Sequence, residues 1–480
     1  MGAGCRVKPG NDGKGTLSFD LSADWPQALD MNSGTQSMTD RLALLEDLIA
    51  RAKAAGADAA DAVLVAGTSV SVQRRLGKTE HVERSEGQDL GLRVFLGKQA
   101  AIVSASSVDP SGFAMLAERA VAMARVVPED PFTGLADTAR TPDIDKLDLD
   151  DPSEPSVEAL IARASAAEEA ALAVKGINNS EGAEAGYGRT EIFLVTSAGF
   201  AGRRAGTSHS VSATALAGTG TDMQRDYDYH SCVHLSDLDD PAEIGRSAGE
   251  RAIRRLNPTR AKTARIPVVF DPRVAGSLLG HLTGAINGAS VARGTSFLRD
   301  KLGQRIFAAG INVFDDPRRV RGLRSRVFDG EGTPTVARAL IEDGVLTTWL
   351  LDSRSARQLG LASTGHAARG TSGPPSPSST NLYLAAGSLD PASLMADIKL
   401  GLYITEMIGM GVNGVTGDYS RGAAGFMIRD GMLAEPVAEI TVAGNLIDMF
   451  AHLTPASDLR FGRGTDAPTV RLEGMTLAGA

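Results

Sequence analysis

One stretch of the chain combines a metal-ligand side chain with a regular element able to position it. The stretch runs from Asp271 to Arg293 and is predicted to be a helix, because Asp271 can cap the first turn and Pro272 needs no amide hydrogen there. Its apolar residues recur at helical spacing and predict a buried face: Val274, Leu278, Leu279 and Leu282. His281 is then the one strong metal-ligand type on this helix.

A hydrolytic zinc centre asks for more than one histidine. It needs about three protein ligands, an open position for water and a nearby carboxylate that takes a proton from that water. His281 by itself supplies one of these ligands.

A second set of metal-ligand types occurs in the segment from His230 to His234. If this segment is a strand, its period of two places His230, Cys232 and His234 on one face, where neighbouring donors could share an ion. Three donors from one strand converge poorly, however, and a partly exposed strand face is the alternative interpretation. No G-x-S-x-G elbow or phosphate-binding loop is present, so serine hydrolase and nucleotide-binding chemistry are not indicated.

Composition limits the classes of function. The 480 residues are 42% hydrophobic and 22% charged, which is typical of an ordinary protein with two or more domains. The net charge of −9 argues against a nucleic-acid-binding surface, and no window approaches the roughly 18 apolar residues of a membrane span. Two cysteines, Cys5 and Cys232, cannot form a disulfide framework, which is consistent with a cytoplasmic protein.

The elements that surround these residues predict an α+β protein of two domains. Residues 1–37 show no hydrophobic period and are predicted to be a disordered extension. Residues 38–263 are predicted to form a helix-and-sheet domain, with an amphipathic first helix, strands around 62–76 and 90–107, and capped helices after Asp109 and Asp240. An acidic, proline-containing linker is expected at about 127–156.

The second domain, residues 264–480, is predicted to be a mixed sheet or pseudo-barrel with helices. It opens with the buried strand at 266–270, and a further helix is predicted between Pro391 and Ile408. The segments 341–346 and 428–433 share the pattern Ile-x-Asp-Gly-x-Leu, which predicts two hairpins and suggests a duplicated unit in one sheet or pseudo-barrel. The arginines between Asp315 and Arg326 are interpreted as a salt-bridged surface loop rather than a phosphate site.

Two groups of polar residues in this domain are candidates for a substrate cleft or a subunit interface. Asp418, Tyr419, Ser420 and Arg421 combine an acid, an aromatic ring, a hydroxyl and a base on a predicted turn. His366, in the polar segment 363–367, is the other candidate. The alternative for the first group is a purely structural turn.

The order of these motifs resembles that of the TldD/TldE (PmbA) family, known as modulators of DNA gyrase and as zinc metallopeptidases. The resemblance rests on segments 271–293, 351–367, 412–426 and 435–446. In the TldD branch, the helix carries His-Glu-x-x-x-His, whose positions match Gly276, Ser277 and His281. The resemblance therefore implies that one ligand remains here, while glycine and serine replace the second ligand and the base. Residues five apart on a regular α-helix also point about 140° from each other, so even the intact motif would need a widened π-type turn. That branch also has a C-terminal cysteine implicated in metal binding, whereas this sequence has no cysteine after Cys232. The chain therefore resembles the TldE (PmbA) branch.

The resemblance implies a cytoplasmic subunit of a TldD/TldE heterodimer that trims or degrades unfolded peptides, as in peptide antibiotic maturation and antitoxin turnover. On this interpretation no residue of the chain is catalytic, the chain binds no cofactor, and zinc belongs to the TldD-like partner. Two alternatives stay open at this stage. The chain could be a metallopeptidase active by itself as a homodimer, with His281 as a ligand, or a non-proteolytic regulatory binding protein.

Overall fold

A computed structural model describes residues 38–137 and 147–479. The predicted disordered extension lies outside these residues, as does part of the predicted acidic linker. The N-terminal domain has the following helices: α1 Met38–Ala54, α2 Phe113–Ala124, α3 Val157–Leu172 and α4 Pro241–Arg254. Its strands are β1 Ala59–Arg75, β2 Lys78–Leu96, β3 Gln99–Ala105, β4 Ile177–Thr196, β5 Ala201–Ala217 and β6 Gln224–Cys232.

These six strands form one antiparallel sheet in the order β3-β2-β1-β4-β5-β6. The helices α1 and α2 pack on one end of one face through Leu45, Leu48 and Phe113, and α3 and α4 cover the other end of that face. Among the described residues, α1 to α4 leave the opposite face uncovered, and at one end this face packs against the C-terminal domain through Val65 and Phe328. One face is therefore sealed, while the other is available for contacts between domains.

The C-terminal domain begins with β7 Ala264–Phe270 and α5 Pro272–Ala285. The remaining helices are α6 Gly288–Ala292, α7 Ser353–Leu359, α8 Pro391–Met395 and α9 Leu446–Ala451. The remaining strands are β8 Val313–Asp315, β9 Arg338–Glu342, β10 Val345–Leu346, β11 Ala367–Ala368, β12 Ser376–Pro377, β13 Leu382–Leu384, β14 Leu400–Ile408, β15 Asp418–Arg429, β16 Met432–Asn445, β17 Leu453–Pro455, β18 Thr465–Asp466 and β19 Val470–Ala478.

Five of these strands close into a barrel. Hydrogen-bonded pairs run from β7 to β14, β15, β16 and β19 and return to β7, and only the β7–β14 pair is parallel. A smaller sheet, in the order β10-β9-β8-β13-β18, packs on the other side of α5. The helix lies between them because Leu278 and Leu282 are buried in their shared core. The predicted α+β class and pseudo-barrel are confirmed.

Both predicted Asp-Gly hairpins are present. Asp343 and Gly344 have φ of 45° and 80°, and Asp430 and Gly431 have φ of 47° and 80°, as a two-residue type I′ turn requires. The first hairpin, β9–β10, belongs to the smaller sheet and the second, β15–β16, belongs to the barrel. The suggestion of a duplicated unit in one sheet is therefore wrong.

Two predicted helices are shorter than expected. The helix that begins at Pro272 ends at Ala285, because Asn287 caps the separate helix α6 by accepting a hydrogen bond from the amide of Ala289. The helix predicted between Pro391 and Ile408 ends at Met395, and residues 400–408 of that segment form the barrel strand β14. The pairing of β14 with β7 on one side and with β15 on the other determines the outcome there, since apolar residues at these positions fit either period.

Candidate functional site

The start of α5 is fixed by hydrogen bonds to both domains. Asp271 caps the helix by accepting from the amide of Arg273, and the hydroxyl of Tyr403 on β14 donates to the other carboxylate oxygen at 3.0 Å. The Arg273 guanidinium donates to Asp226 of the N-terminal domain at 2.7 Å. The direction of α5 is thereby set relative to the barrel and to the first sheet.

The motif positions on α5 have different surroundings. At Gly276 an added Cβ would lie 3.1 Å from the carbonyl oxygen of Thr465, so the backbone of β18 passes close to the helix here. The Ser277 hydroxyl donates to the carbonyl oxygen of Val274 at 2.6 Å, within the same helix. Because α5 is a regular α-helix throughout, Gly276 and His281 face different neighbours.

His281 contacts Tyr419, the first buried residue of β15. The two rings meet edge to face, with 5.7 Å between centroids and an interplanar angle of 81°. Within the described residues, His281 Nε2 is buried without a hydrogen-bond partner, and the buried Tyr419 hydroxyl lies beside the Arg421 guanidinium. The structure therefore brings together one residue from each of two predicted site segments.

Burial and a neighbouring cation decide the protonation of this pair. Burial lowers the pKa of His281, and the positive charge of Arg421 lowers it further. Burial raises the pKa of Tyr419 to about 12. Both rings are consequently neutral at physiological pH, and a cation close to them would be repelled by the Arg421 guanidinium.

Asp418 to Arg421 were predicted to form a turn, but they are the first residues of β15. The strand alternation turns Tyr419 inward and leaves Asp418 and Ser420 exposed. Hydrogen bonds from Thr416 and from Asn445 lower the pKa of Asp418. The physical reason for the difference is that β15 pairs with β16 along its whole length, from the barrel to Asp418.

The turn that the sequence suggested lies just before this strand, in residues 409–417. The Ser420 amide donates to the carbonyl oxygen of Gly411 at 2.7 Å, and the Arg421 guanidinium donates to that of Gly409 at 2.8 Å. This loop and the start of β15 line a surface cavity of about 630 Å³. Met410, at the loop tip, is 89% exposed. Sequence analysis missed Met410, although an apolar residue between two glycines could have indicated an exposed tip.

His366 is buried elsewhere in the C-terminal domain. Its Nδ1 lies 2.8 Å from the Thr364 hydroxyl and its Nε2 lies 3.1 Å from an Asp315 carboxylate oxygen. The same Asp315 accepts from the amide and the hydroxyl of Thr380. The ring thus joins three segments of the domain, and the structure does not place it with His281 and Tyr419.

The alternative metal ligands also have separate partners. His230 Nδ1 accepts from the amide of Asp239 at 3.0 Å, and the Cys232 thiol donates to the carbonyl oxygen of His234 at 3.0 Å. His234 lies beyond the end of β6, with Nε2 3.1 Å from a carboxylate oxygen of Asp148. Within residues 38–137 and 147–479, no three His, Cys, Asp or Glu side chains are grouped so that they could hold a metal ion.

Comparison with known proteins identifies the family. Models of the PmbA/TldA metallopeptidase match residues 60–124 (domain 1), 150–256 (central domain) and 263–479 (C-terminal domain). The chain belongs to this family. It is 38% identical over 427 residues to the metalloprotease PmbA of Escherichia coli O157:H7, which covers 88% of this chain and 92% of that protein.

Solved structures share the fold. A putative modulator of DNA gyrase from Bacteroides thetaiotaomicron superimposes with a TM-score of 0.84 at 27% identity, over 92% of this chain and 100% of the other. TldE from Thermococcus kodakarensis superimposes with a TM-score of 0.82 at 20% identity, over 91% and 100% of the two chains. The predicted family is confirmed.

A metallopeptidase family implies a metal centre, so the donor set around α5 can be tested for fit. His281 is the only His, Cys, Asp or Glu within Pro272–Ala285. Its ring faces Tyr419, and the nearest charged group acting on it is the cation of Arg421. These residues do not fit a hydrolytic zinc centre, which needs further ligands and a proton-accepting carboxylate.

Proposed function

We propose that the chain is a non-catalytic, TldE/PmbA-like subunit of a heterodimeric zinc metalloprotease, whose zinc and catalytic groups come from a TldD-like partner. The observation that carries the proposal is the isolation of His281, which contacts an aromatic ring where a metal site would require a second ligand. Gly276 and Ser277 occupy the positions that match the second ligand and the base; Gly276 lies against the backbone of Thr465, and the Ser277 hydroxyl donates within its own helix.

The surface around the site supports an interface with a partner. Ile408, Met410 and Val415 are 58%, 89% and 57% exposed and lie on one loop and the strand end that precedes it. Exposed apolar residues grouped beside polar ones mark protein–protein contacts in many proteins. We assign this loop, with Asp418 and Ser420, to the contact with the TldD-like subunit.

The substrates of the complex on this proposal are unfolded peptides, processed in the cytoplasm during peptide antibiotic maturation or antitoxin turnover. No helix among the described residues is long and apolar enough to cross a membrane. The net charge of −9 disfavours a direct action on DNA. A peptide lacking stable structure is a suitable ligand for a surface between two subunits, because its backbone is free to pair with them.

Reconstitution tests this function. The chain, a TldD-like chain and their mixture are purified, and each is assayed for bound zinc by mass spectrometry and for cleavage of an unfolded peptide. We expect the chain alone to hold well under one zinc per polypeptide and to cleave nothing, and the mixture to cleave. Stoichiometric zinc in the chain alone, with cleavage that chelation abolishes, would support the homodimer alternative instead.

Substitutions separate a structural from a catalytic contribution. His281→Asn in this chain should leave most of the activity of the mixture, whereas loss of the predicted catalytic glutamate in the TldD-like chain should abolish it. Met410→Glu should weaken association, because it puts a charge into an apolar contact. Met115→Glu is the matched control, since Met115 is 72% exposed on α2, outside the proposed contact. Equal effects of the two methionine substitutions would contradict the assignment of the interface.

A further inference from the structure

A second cavity, of about 700 Å³, lies between the first sheet and the C-terminal domain. Its floor is the face of the four strands β2, β1, β4 and β5 that α1 to α4 leave uncovered, and the pairing registers place three rows of residues side by side across them. The rows are Asp89-Val65-Ile192-Arg204, Gly87-Gly67-Thr190-Gly206 and Ser85-Ser69-Gly188-Ser208. Because two of the three rows carry only glycine, serine and threonine, the floor is a trough running across the strands. We call it the glycine trough.

The C-terminal domain forms the roof with residues 322–326 and Ser379. Arg326 is only 8% exposed, and its Nε is buried without a hydrogen-bond partner. Arg204, from the floor, also has a buried Nε without a partner. Arg324 lines the same cavity and donates to the Thr465 hydroxyl at 3.1 Å.

No carboxylate among the described residues pairs with these arginines. The carboxylates whose charge acts on these arginines are Asp315 and Asp329, and both accept hydrogen bonds from other groups. Asp315 contacts Thr380 and His366, and Asp329 accepts hydrogen bonds from three backbone amides. By contrast Arg189, whose side chain belongs to the opposite face, makes two 2.8 Å hydrogen bonds to Asp150. A buried cation without a directly paired carboxylate is costly, so a ligand that supplies negative charge explains the arrangement.

The charge pattern gives the trough a direction. Asp89 is the one acidic side chain among the described residues that line the cavity, and it shares a row with Arg204 at the opposite side of the floor. At this level β2 is an edge strand, because β3 pairs only with Leu90–Leu96. Leu149 and Val233 line the cavity beyond β5. The trough is thus acidic at the edge and basic at the closed end.

The dimensions suit a short peptide. Four adjacent strands span about 14 Å, at roughly 4.8 Å per strand pair, which matches about four extended residues at roughly 3.3 Å each. The cavity volume also lies within the range of about 300–1,000 Å³ that is typical of small-ligand sites. A carboxylate is the group that a planar guanidinium binds with two parallel hydrogen bonds.

We propose that the glycine trough binds the C-terminal carboxylate of a short extended peptide, paired with Arg326 and Arg204, with the peptide's amino end toward Asp89. The choice of a peptide rests on the proposed function, whereas the affinity for a carboxylate follows from the cavity itself. The trough would then select or retain peptide ends rather than cleave them.

Calorimetric titration of the full chain with the tetrapeptide Ala-Ala-Ser-Ala, as the free acid and as the C-terminal amide, tests the proposal. We expect the acid to bind at least tenfold more tightly than the amide, since one charge-assisted pair contributes about that factor. Arg326→Gln and Arg204→Gln should each remove the preference. Arg321→Gln, in the same loop but paired with Asp148 and Asp237 outside the trough, should keep it.

Several outcomes would overturn the proposal. These are equal binding of acid and amide, no binding of either, or a preference that survives both substitutions. If inorganic phosphate binds and the peptide acid binds no more tightly than acetate, the cavity is a site for a free oxyanion instead. If the variants at the buried positions do not fold, Arg324→Gln provides the test, because Arg324 is exposed at the rim of the cavity. It should weaken binding of the peptide acid and leave binding of the amide unchanged. A retained preference with no cleavage by the reconstituted mixture would refute the proposed function and leave this site standing.

Discussion

The two domains are joined by a buried ion network whose loss should be costly. Asp61 on β1 is 1% exposed and accepts from Arg93 at 2.9 and 2.5 Å and from Arg369 at 2.5 Å. Arg93 has a second carboxylate, Glu331, at 3.7 Å. Arg369 has no other ion pair among the described residues, and its Nε and Nη2 are already unpartnered. Replacing Asp61 by Asn keeps the shape and leaves Arg369 buried without a counter-ion.

The size of the effect follows from burial. Removing one partner of a buried pair costs about 3–5 kcal/mol, whereas an exposed pair contributes about 1 kcal/mol or less. Burial alone would raise the pKa of Asp61, but Arg369 and Arg93 outweigh it and hold that pKa below its usual value. Because the lowered pKa keeps Asp61 ionised, its contribution is complete above pH ~4 and is lost as the pH falls through the lower folded-state pKa.

Urea unfolding followed by circular dichroism measures this cost. With a slope of about 3 kcal/mol per molar urea, Asp61→Asn should lower the midpoint by roughly 1 M or more at neutral pH. Asp150→Asn is the matched control, because Asp150 makes a bidentate pair with Arg189 at a site where both side chains are more than a third exposed. Midpoint shifts of the same size in the two variants would refute the reasoning from burial.

Three further outcomes are expected. Burial, with Glu331 nearby, raises the pKa of Asp329 from 3.8 to about 6. Between these two pH values the native state therefore holds a proton that the unfolded chain has released. The unfolding free energy of the wild type minus that of Asp329→Asn, measured by thermal melts, should fall by about 3 kcal/mol as the pH rises from about 4 to above 6. Tyr419→Phe keeps the packed ring and removes only the hydroxyl beside Arg421, so it should change the unfolding free energy by about 1 kcal/mol or less, while Tyr419→Ala should lower it by about 3–5 kcal/mol in urea titrations. Burial raises the pKa of Cys232 to about 12, so iodoacetamide should label it in urea but not in the native protein, as peptide mass spectrometry would show.

Local chemistry in the sequence predicted much of the fold. Asp240 and Asp271, each followed by proline, cap the helices that they were expected to cap, because a side chain and the next amides decide the outcome within one turn. The Asp-Gly pairs at 343–344 and 430–431 likewise form their hairpins. What the sequence could not supply was the sheet that each hairpin joins, since that choice depends on partners far along the chain.

The misses have the same origin. The first half of β2 is exposed and charged, so it shows no alternation, and only its pairing with β1 makes it a strand. His281 and Tyr419 were singled out separately, but nothing in either segment indicated that their rings meet. The glycine trough was missed because its floor comes from four strands, and the arginines of its roof were assigned to surface ion pairs. That assignment holds for Arg321 but not for Arg326, which is buried.

The degenerate motif and the packing of α5 form one arrangement. At Gly276 a side chain would begin 3.1 Å from the Thr465 carbonyl oxygen, so a histidine there would require the backbone of β18 to move. The Ser277 hydroxyl is satisfied within its own helix, and the His281 ring is supported by Tyr419. Protein contacts therefore position the helix at each motif residue. This arrangement is the one we expect of a subunit whose partner holds the zinc, as in the proposed heterodimer.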